Sequence, residues 1–297
     1  MKYKLRRDLV YLLLRGYSLV ILILPFRIAV YCGGLLGTLA YYLIKHTRRQ
    51  VKENLSLAFN KDINDPWIKQ TAKAVFKNLG KSLNEVLSFP KINKKNIDSL
   101  VEASDLEKVD QVLKQGKGVI MLAPHLDNWE LLACCFSLKG YKLNVIAKRL
   151  YFHRYDKFLN YYRTLQGTKV LDRDGSIKKI LKVLKDNQVL GILPDQDVDS
   201  LKGIFVDFFG RPAYTPVGPV SLALAGGAPI VPCFIIRTGK GHKLIVEEPI
   251  EVRSSGNKDK DIEDYTKVWT GIIESYIRKY PGQWVWMHQR WKTQLKS

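Results

Sequence analysis

The sequence is poor in cysteine and in acidic residues, and both shortages limit what the protein can be. It contains four cysteines in 297 residues, and none has the spacing of a metal site. Adjacent Cys134 and Cys135 do not suit a disulfide framework in a chain of this size, so we expect a reducing, cytosolic environment. Asp and Glu number 28 against 48 Lys and Arg, which gives a net charge of +20. That charge favours an acidic partner: nucleic acid, an anionic membrane, a phosphorylated lipid or an acidic protein.

Motifs of several familiar sites are missing as well. There is no helix-turn-helix, RNP or zinc-finger signature, so we expect no nucleic-acid partner. No G-x-S-x-G elbow occurs, so the nucleophile of an enzyme built on this chain would be a hydroxyl of its substrate. Asp195, Asp197 and Asp199 resemble the start of a calcium loop, but Ser200 and Val206 stand where that loop needs glycine and glutamate. We therefore expect no metal and no other cofactor.

Residues 1–44 contain long apolar runs without a clean spanning segment. Arg15, Arg27 and Pro25 interrupt these runs, and residues 28–44 fall a little short of the ~20 that a spanning helix needs. Basic residues flank both ends, and no small-residue cleavage site follows the first run, so we expect no removed signal peptide. We predict that residues 1–44 are a helical membrane anchor lying on the cytoplasmic leaflet. A helix pair in the core of the folded domain and a single true span are the alternatives.

The stretch from Gly116 to Glu130 has the pattern of a functional turn. Residues 119–123 are apolar and predict a buried strand, and a helical pattern begins at Trp129. His125 thus falls at the carboxyl end of a strand and before a helix, where open α/β sheets bind their ligands. In that loop it can meet Glu130, and a carboxylate beside an imidazole makes a general base. The alternative is that His125 only caps a turn and Glu130 is solvated.

Strand and helix patterns alternate after this turn. Strands are predicted at residues 143–147, 168–171 and 189–193, with helices between them. This alternation predicts an α/β fold with a mainly parallel mixed sheet covered by helices on both faces. An aromatic and basic tail from Gln283 to Trp291 suits either a membrane interface or packing against this domain.

Each predicted strand ends in a polar cluster. These clusters are His125 after the first strand, Lys148 and Arg149 after the second, Asp172 to Asp174 after the third, and Asp195 to Asp197 after the fourth. If the strands are parallel, the clusters meet at one edge of the sheet and form an active-site rim. We expect Asp195 to pair there with a basic group such as Arg149 or Arg173.

The motif His-Leu-Asp-Asn-Trp-Glu at residues 125–130 resembles the H-x4-(D/E) motif of glycerolipid acyltransferases. Its surroundings resemble the bacterial lipid A late acyltransferases, also called lysophospholipid acyltransferase-like. Four further motifs match in order: Arg48-Arg49 with Asn54-Leu55, Leu171-Asp172-Arg173, residues 193–197 (LPDQD) and residues 286–290 (WMHQR). The similarity covers nearly the whole chain.

This resemblance implies a glycerolipid acyltransferase-like domain over residues 45–297, at the cytoplasmic face of the inner membrane. Its activity would move an acyl chain from a thioester, on acyl carrier protein or coenzyme A, to a hydroxyl of a phosphorylated glycolipid such as a lipid A precursor. It implies His125 as general base with Glu130 orienting it as the second catalytic residue. Arg149, Arg173 and Asp195 would bind substrate.

Two other functions stay open. The acceptor could be a glycosylated phosphoinositide or a lysophospholipid. The protein could also be a basic membrane scaffold that binds anionic lipid or nucleic acid without turnover, although the presence of both His125 and Glu130 at a strand end argues against this.

Overall fold

The computed structural model describes residues 2–239 and 241–294, with side chains from residue 6 onward. Four helices open the chain: α1 (Lys2–Ile23), α2 (Phe26–Leu43), α3 (Lys45–Phe59) and α4 (Pro66–Leu87). The central part contains α5 (Ile97–Leu100), β1 (Val101–Ala103), α6 (Leu106–Leu113), β2 (Val119–Leu122), α7 (Trp129–Leu138), β3 (Leu143–Ala147), α8 (His153–Thr164), β4 (Lys169–Asp172), α9 (Ile177–Lys185) and β5 (Val189–Ile192). The last part contains β6 (Gly203–Phe208), β7 (Arg211–Pro216), α10 (Gly218–Gly226), β8 (Ile230–Arg237), β9 (His242–Val246) and α11 (Lys258–Lys279).

The sheet is mixed and mainly parallel, which confirms the predicted fold class. Seven strands lie in the order β1-β9-β8-β2-β5-β3-β4. The run from β8 through β2, β5 and β3 to β4 is parallel. Strand β9 is antiparallel to β8 and pairs in parallel with β1. Strands β6 and β7 form a separate antiparallel hairpin.

Helices cover both faces of this sheet, as predicted. Along β2, Ile120 and Leu122 pack into one apolar cluster with residues of α4, α9, α10 and α11. The alternate residues Val119 and Met121 pack into a second cluster with residues of α6 and α7. Successive side chains of a strand point to opposite faces, so a central strand buried on both faces is apolar throughout.

Helix α2 packs on α4 with the two backbones in contact. A Cβ at Gly37 would lie 2.1 Å from the carbonyl oxygen of Phe76, and one at Gly33 would lie 2.3 Å from that of Gly80. Only glycine fits at such a crossing. Asn84 Nδ2 also donates to the carbonyl oxygen of Ala29 at 2.7 Å. One face of α2 is therefore part of the folded domain.

The opposite face of α2 is a stripe of exposed apolar side chains. It consists of Ile28, Tyr31, Leu35, Leu39 and Tyr42, each about half exposed or more. Among the described helices, α2 is the one long and apolar enough to cross a membrane by length and composition. The domain boundary at residue 44 stays a prediction, because the same helix is buried on one side and exposed on the other.

Candidate active site

The turn that carries the histidine connects β2 to α7. Asn128 caps α7, since its Oδ1 accepts the backbone N–H of Leu131 at 3.0 Å. Asp127 before it has a φ of +47°, in the left-handed region that a tight turn needs. His125 therefore lies in the loop before the helix, as predicted.

His125 is held by Asp195, which follows the neighbouring strand β5. Its Nδ1 lies 2.7 Å from Asp195 Oδ1, and its backbone N–H donates to Oδ2 at 2.8 Å. Trp284 Nε1 donates to the same Oδ2 at 2.7 Å. Burial alone would raise the pKa of Asp195, but the charge of His125 and the hydrogen bonds from His125 and Trp284 outweigh it and keep that pKa below its ordinary value. Asp195 is thus a buried carboxylate, 2% exposed, behind the histidine.

Glu130 does not pair with His125, so that prediction is wrong. The Glu130 carboxylate binds Arg163 of α8, which donates from Nε at 2.9 and 3.0 Å and from Nη2 at 2.6 Å. The reason is geometric. Glu130 lies in the first turn of α7, which contacts α8. Asp195 follows β5, the parallel strand next to β2, and so lies beside the His125 imidazole.

A cavity of about 620 Å³ opens beside these groups. Its polar wall includes His125, Glu130 and Arg163. Most of the rest is aliphatic, contributed by Met121, Leu132, Val145, Ile146, Ile180, Leu181, Ile192 and Leu222. The volume falls in the usual range of small-molecule sites, and an apolar lining with few polar groups is typical of them.

The strand-end clusters do meet at one edge, because β2, β5, β3 and β4 are consecutive parallel strands. Lys148, Arg173 and Gln196 line the cavity together with His125. Arg173 lies there with an 18% exposed side chain that bonds Asp174 at 2.8 Å. The rim predicted from the sequence is therefore present and basic.

One expectation about this rim is wrong, and the substrate-binding role of Arg149 stays a prediction. Asp195 pairs with neither Arg149 nor Arg173, since both of its oxygens are occupied by His125 and Trp284. Arg149 instead pairs with Asp172 at 2.8 Å, and its side chain is 77% exposed outside the cavity lining. The loop after β5 also binds another part of the protein: Asp197 accepts a hydrogen bond from the Thr293 hydroxyl at 2.8 Å.

A buried ion cluster (Glu85, Asp127, Arg237 and His242) lies beneath the turn. Arg237 donates from Nε to Asp127 Oδ1 at 3.0 Å and from Nη2 to Glu85 Oε2 at 2.8 Å. His242 Nε2 lies 3.0 Å from Asp127 Oδ2. Glu85 also accepts from Asn128 Nδ2 at 2.8 Å, so the cluster reaches the cap of α7.

The protonation states of the buried ion cluster follow from its contacts. Burial opposes charge on His242, but its close contacts with the Asp127 and Glu85 carboxylates raise its pKa to about 9. Burial likewise opposes charge on Glu85, but Arg237 and His242 lower its pKa to about 2. Near neutral pH the cluster therefore holds charged groups of both signs.

Sequence reasoning missed Arg163, Trp284 and the buried ion cluster. Arg163 lies inside α8 in no recognisable motif. Trp284 belongs to the aromatic tail. The alternative that this tail packs against the domain is correct, because Trp284 and Trp286 are 1% and 0% exposed. The tail was a visible signal, but nothing in it indicated contact with Asp195.

Fold and site together define an α/β protein in which a histidine–carboxylate pair lies beside an apolar cavity with a basic rim. The sequence matches the bacterial lipid A biosynthesis acyltransferases over residues 2–293, so the chain belongs to that family and is an acyltransferase. The resemblance predicted from the motifs is thereby confirmed.

Individual relatives span more than one acceptor. The chain is 28% identical over 287 residues to the lipid A biosynthesis lauroyltransferase of Escherichia coli K12, covering 94% of this chain and 90% of the relative. It is 24% identical over 285 residues to a lipid A biosynthesis acyltransferase of Haemophilus influenzae (93% and 86%). It is 26% identical over 231 residues to a phosphatidylinositol mannoside acyltransferase of Mycobacterium tuberculosis (75% and 71%).

Proposed function

We propose that the protein transfers an acyl chain from acyl carrier protein to a hydroxyl of a phosphorylated glycolipid, with a lipid A precursor as the first candidate. The observation that carries this proposal is the His125–Asp195 pair beside the 620 Å³ apolar cavity. The aliphatic lining suits an acyl chain. Lys148 and Arg173 at the same edge suit a phosphate, which Arg and Lys bind through charge-assisted hydrogen bonds.

His125 acts as the general base in this proposal. Its Nδ1 bonds Asp195, which leaves Nε2 to take the proton of the acceptor hydroxyl. The hydroxyl oxygen attacks the thioester carbonyl, and the tetrahedral intermediate collapses with loss of the thiolate. The thiolate then takes the proton from His125, so the histidine ends neutral. Asp195 stabilises the imidazolium between the two proton transfers.

Glu130 contributes through Arg163. The carboxylate binds Nε and Nη2 of the guanidinium, which fixes the plane of Arg163 at the cavity wall and leaves Nη1 to donate. A fixed positive donor in the wall of the cavity that His125 also lines would stabilise the oxyanion of the tetrahedral intermediate. This assigns Glu130 a supporting part in catalysis that does not require contact with His125.

The acceptor is tested by supplying several candidates to the purified enzyme. Radiolabelled acyl carrier protein thioester and acyl-coenzyme A are offered with a lipid A precursor, a phosphatidylinositol mannoside and a lysophospholipid. The mycobacterial relative makes the mannoside the second candidate. We expect the lipid A precursor to be acylated by wild type and not by His125→Ala. Lipid binding without turnover would favour the scaffold instead, and an active His125→Ala variant would overturn the mechanism.

The identity of the acyl donor is tested by varying the salt concentration. An acidic carrier protein should be attracted by the net charge of +20, so carrier-dependent turnover should fall steeply from low salt to about 0.5 M as the Debye length shortens. With a neutral short-chain thioester as donor, and the acceptor fixed in detergent, the decline should be shallow. Equal salt sensitivity would remove the support for a carrier-protein donor.

The exposed stripe of α2 is proposed to lie on the cytoplasmic leaflet of the inner membrane, where basic residues add attraction to anionic lipid. The test is flotation with anionic vesicles. Replacing Leu35 and Leu39 by Glu should prevent flotation. Replacing Leu57 and Val268, which are similarly exposed on α3 and α11, should not. Equal behaviour of the two double variants would contradict a membrane contact through α2.

A further inference from the structure

The carboxyl-terminal tail reaches the catalytic pair through one side chain. Trp284 Nε1 donates to Asp195 Oδ2 at 2.7 Å, and the indole is 1% exposed. That oxygen also accepts the backbone N–H of His125 at 2.8 Å, while Oδ1 serves the His125 ring. The orientation of the carboxylate is therefore set from two sides, by the histidine and by the tail.

Backbone contacts fix the tail beside the turn. Val285 N donates to the His125 carbonyl oxygen at 3.1 Å, and Asp127 N donates to the Gln283 carbonyl oxygen at 2.7 Å. Leu126 and Trp284 form an antiparallel bridge between these two bonds. The tail is thus paired with the catalytic turn itself, and Trp284 is the paired residue whose side chain turns to Asp195.

The Trp284 ring is also held by its neighbours. Its centroid lies 4.6 Å from that of Trp286 at an interplanar angle of 88°, and 5.9 Å from that of Phe208. Such edge-to-face packing leaves the indole few alternative orientations. This packing directs the N–H of the indole at Asp195.

The geometry points to Trp284 as a positioning residue of the acyl-transfer reaction: its indole N–H holds Asp195 in the orientation in which that carboxylate serves His125. The assignment rests on the proposed roles of His125 and Asp195. A hydrogen bond to a buried carboxylate both orients it and disperses its charge. Without the indole donor, Asp195 can rotate, and the His125–Asp195 pair holds a proton more tightly.

The experiment uses two matched variants of the full-length protein. Trp284→Phe removes the donor to Asp195. Trp286→Phe removes an equally buried indole from the same tail, whose N–H donates to the Pro281 carbonyl oxygen at 2.7 Å and does not touch Asp195. Both leave a similar void, so a purely structural effect should appear equally in their melting temperatures.

We expect Trp284→Phe to lower kcat about tenfold or more, the usual worth of a hydrogen bond to a charged group. KM should change little, and the acidic limb of the pH–rate profile should move to higher pH. Trp286→Phe should keep the wild-type profile. An unchanged profile in Trp284→Phe, or equal shifts in both variants, would overturn the assignment. Activity in His125→Ala would instead show that the proposed function fails.

A spectroscopic readout covers the case in which Trp284→Phe does not fold. It uses the Trp129→Phe variant with labelled indole nitrogens, because the Trp129 ring lies 4.9 Å from the His125 ring and would report on it directly. Among the indole N–H resonances that remain, that of Trp284 should shift with pH, over the range of the acidic limb in the pH–rate profile of this variant. The absence of any such resonance would overturn the assignment.

Discussion

Two groups of ionisable side chains hold the same turn, residues 125–128. The His125–Asp195 pair faces the cavity, and the His125 side chain is 21% exposed. The buried ion cluster lies beneath, where the side chains of Glu85, Asp127 and His242 are at most 4% exposed. Both groups combine carboxylates with histidine, and they differ in their access to a substrate.

That difference separates two functions of ionisable groups in one enzyme, proton exchange with substrate and stabilisation of the fold. A partly exposed histidine backed by a buried carboxylate can exchange a proton with a bound hydroxyl. Fully buried ions cannot be reached by substrate, and removing one of them leaves its partners unpaired in a low-dielectric surrounding. We therefore expect changes at the cavity to affect turnover, and changes in the buried ion cluster to affect stability.

The largest expected effect is that of Asp195→Asn on turnover. An amide of the same shape cannot stabilise the imidazolium and favours the wrong tautomer of His125, so kcat should fall by about 10⁴. Steady-state acyl transfer measures this. A loss below tenfold would mean that the cavity-side pair is not the catalytic base.

Glu85→Gln should give the largest loss of stability. It leaves Arg237 and His242 with Asp127 as their remaining carboxylate, so the free energy of unfolding should drop by about 3 kcal/mol or more. The matched control is Glu53→Gln, which breaks an exposed pair with Arg49 and should cost less than about 0.5 kcal/mol. Chemical denaturation measures both. Equal costs would contradict the separation between buried and exposed charges.

Glu130→Gln should reduce turnover less than Asp195→Asn, by about 10², because it loosens Arg163 without touching the histidine. The measurement is the ratio of the losses in turnover of the two variants, both assayed with the same acyl donor and the same acceptor. A larger loss in Glu130→Gln than in Asp195→Asn would return the carboxylate role to Glu130.

The pH dependence of stability should be a smaller effect that belongs to the buried ion cluster. The pKa of His242 is raised from 6.5 to about 9, so its contribution is complete below pH 6.5 and is lost as pH rises through about 9. The pKa of Glu85 is lowered from 4.5 to about 2, so its contribution is present above pH 4.5 and is lost as pH falls toward 2.

Thermal melting between pH 6 and pH 9.5 tests the histidine part. Wild type should lose stability over this range, and His242→Gln should lose much less, because it has no proton to release. A His242→Gln variant that declines as steeply as wild type would assign the loss to other groups.

Local patterns predicted the place of His125 and the alternating strands and helices on either side of it from β2 to β5. The bounds of β3 agree with the predicted residues 143–147, and those of β4 and β5 differ from prediction by one residue at one end or at both, since apolar spacing marks a buried strand. The carboxyl-end rim followed from parallel order alone. These inferences need no knowledge of which strands are neighbours.

The partners of His125 could not be predicted in the same way. Asp195 lies 70 residues beyond His125, and Trp284 lies 89 residues beyond Asp195. Their meeting depends on β2 pairing with β5 and on the tail bridging Leu126, neither of which follows from chain order. Glu130, only five residues from His125, was the nearer carboxylate in sequence and the wrong one in space.

The tautomer of His125 shows which carboxylate serves the catalytic histidine. Nitrogen NMR of the enzyme labelled in its five histidines, with the His125 signal assigned through His125→Gln, reports which ring nitrogen carries the proton. We expect a protonated Nδ1 and a free Nε2 in wild type and in Glu130→Gln, and loss of this tautomer in Asp195→Asn. Loss in Glu130→Gln with retention in Asp195→Asn would contradict this expectation.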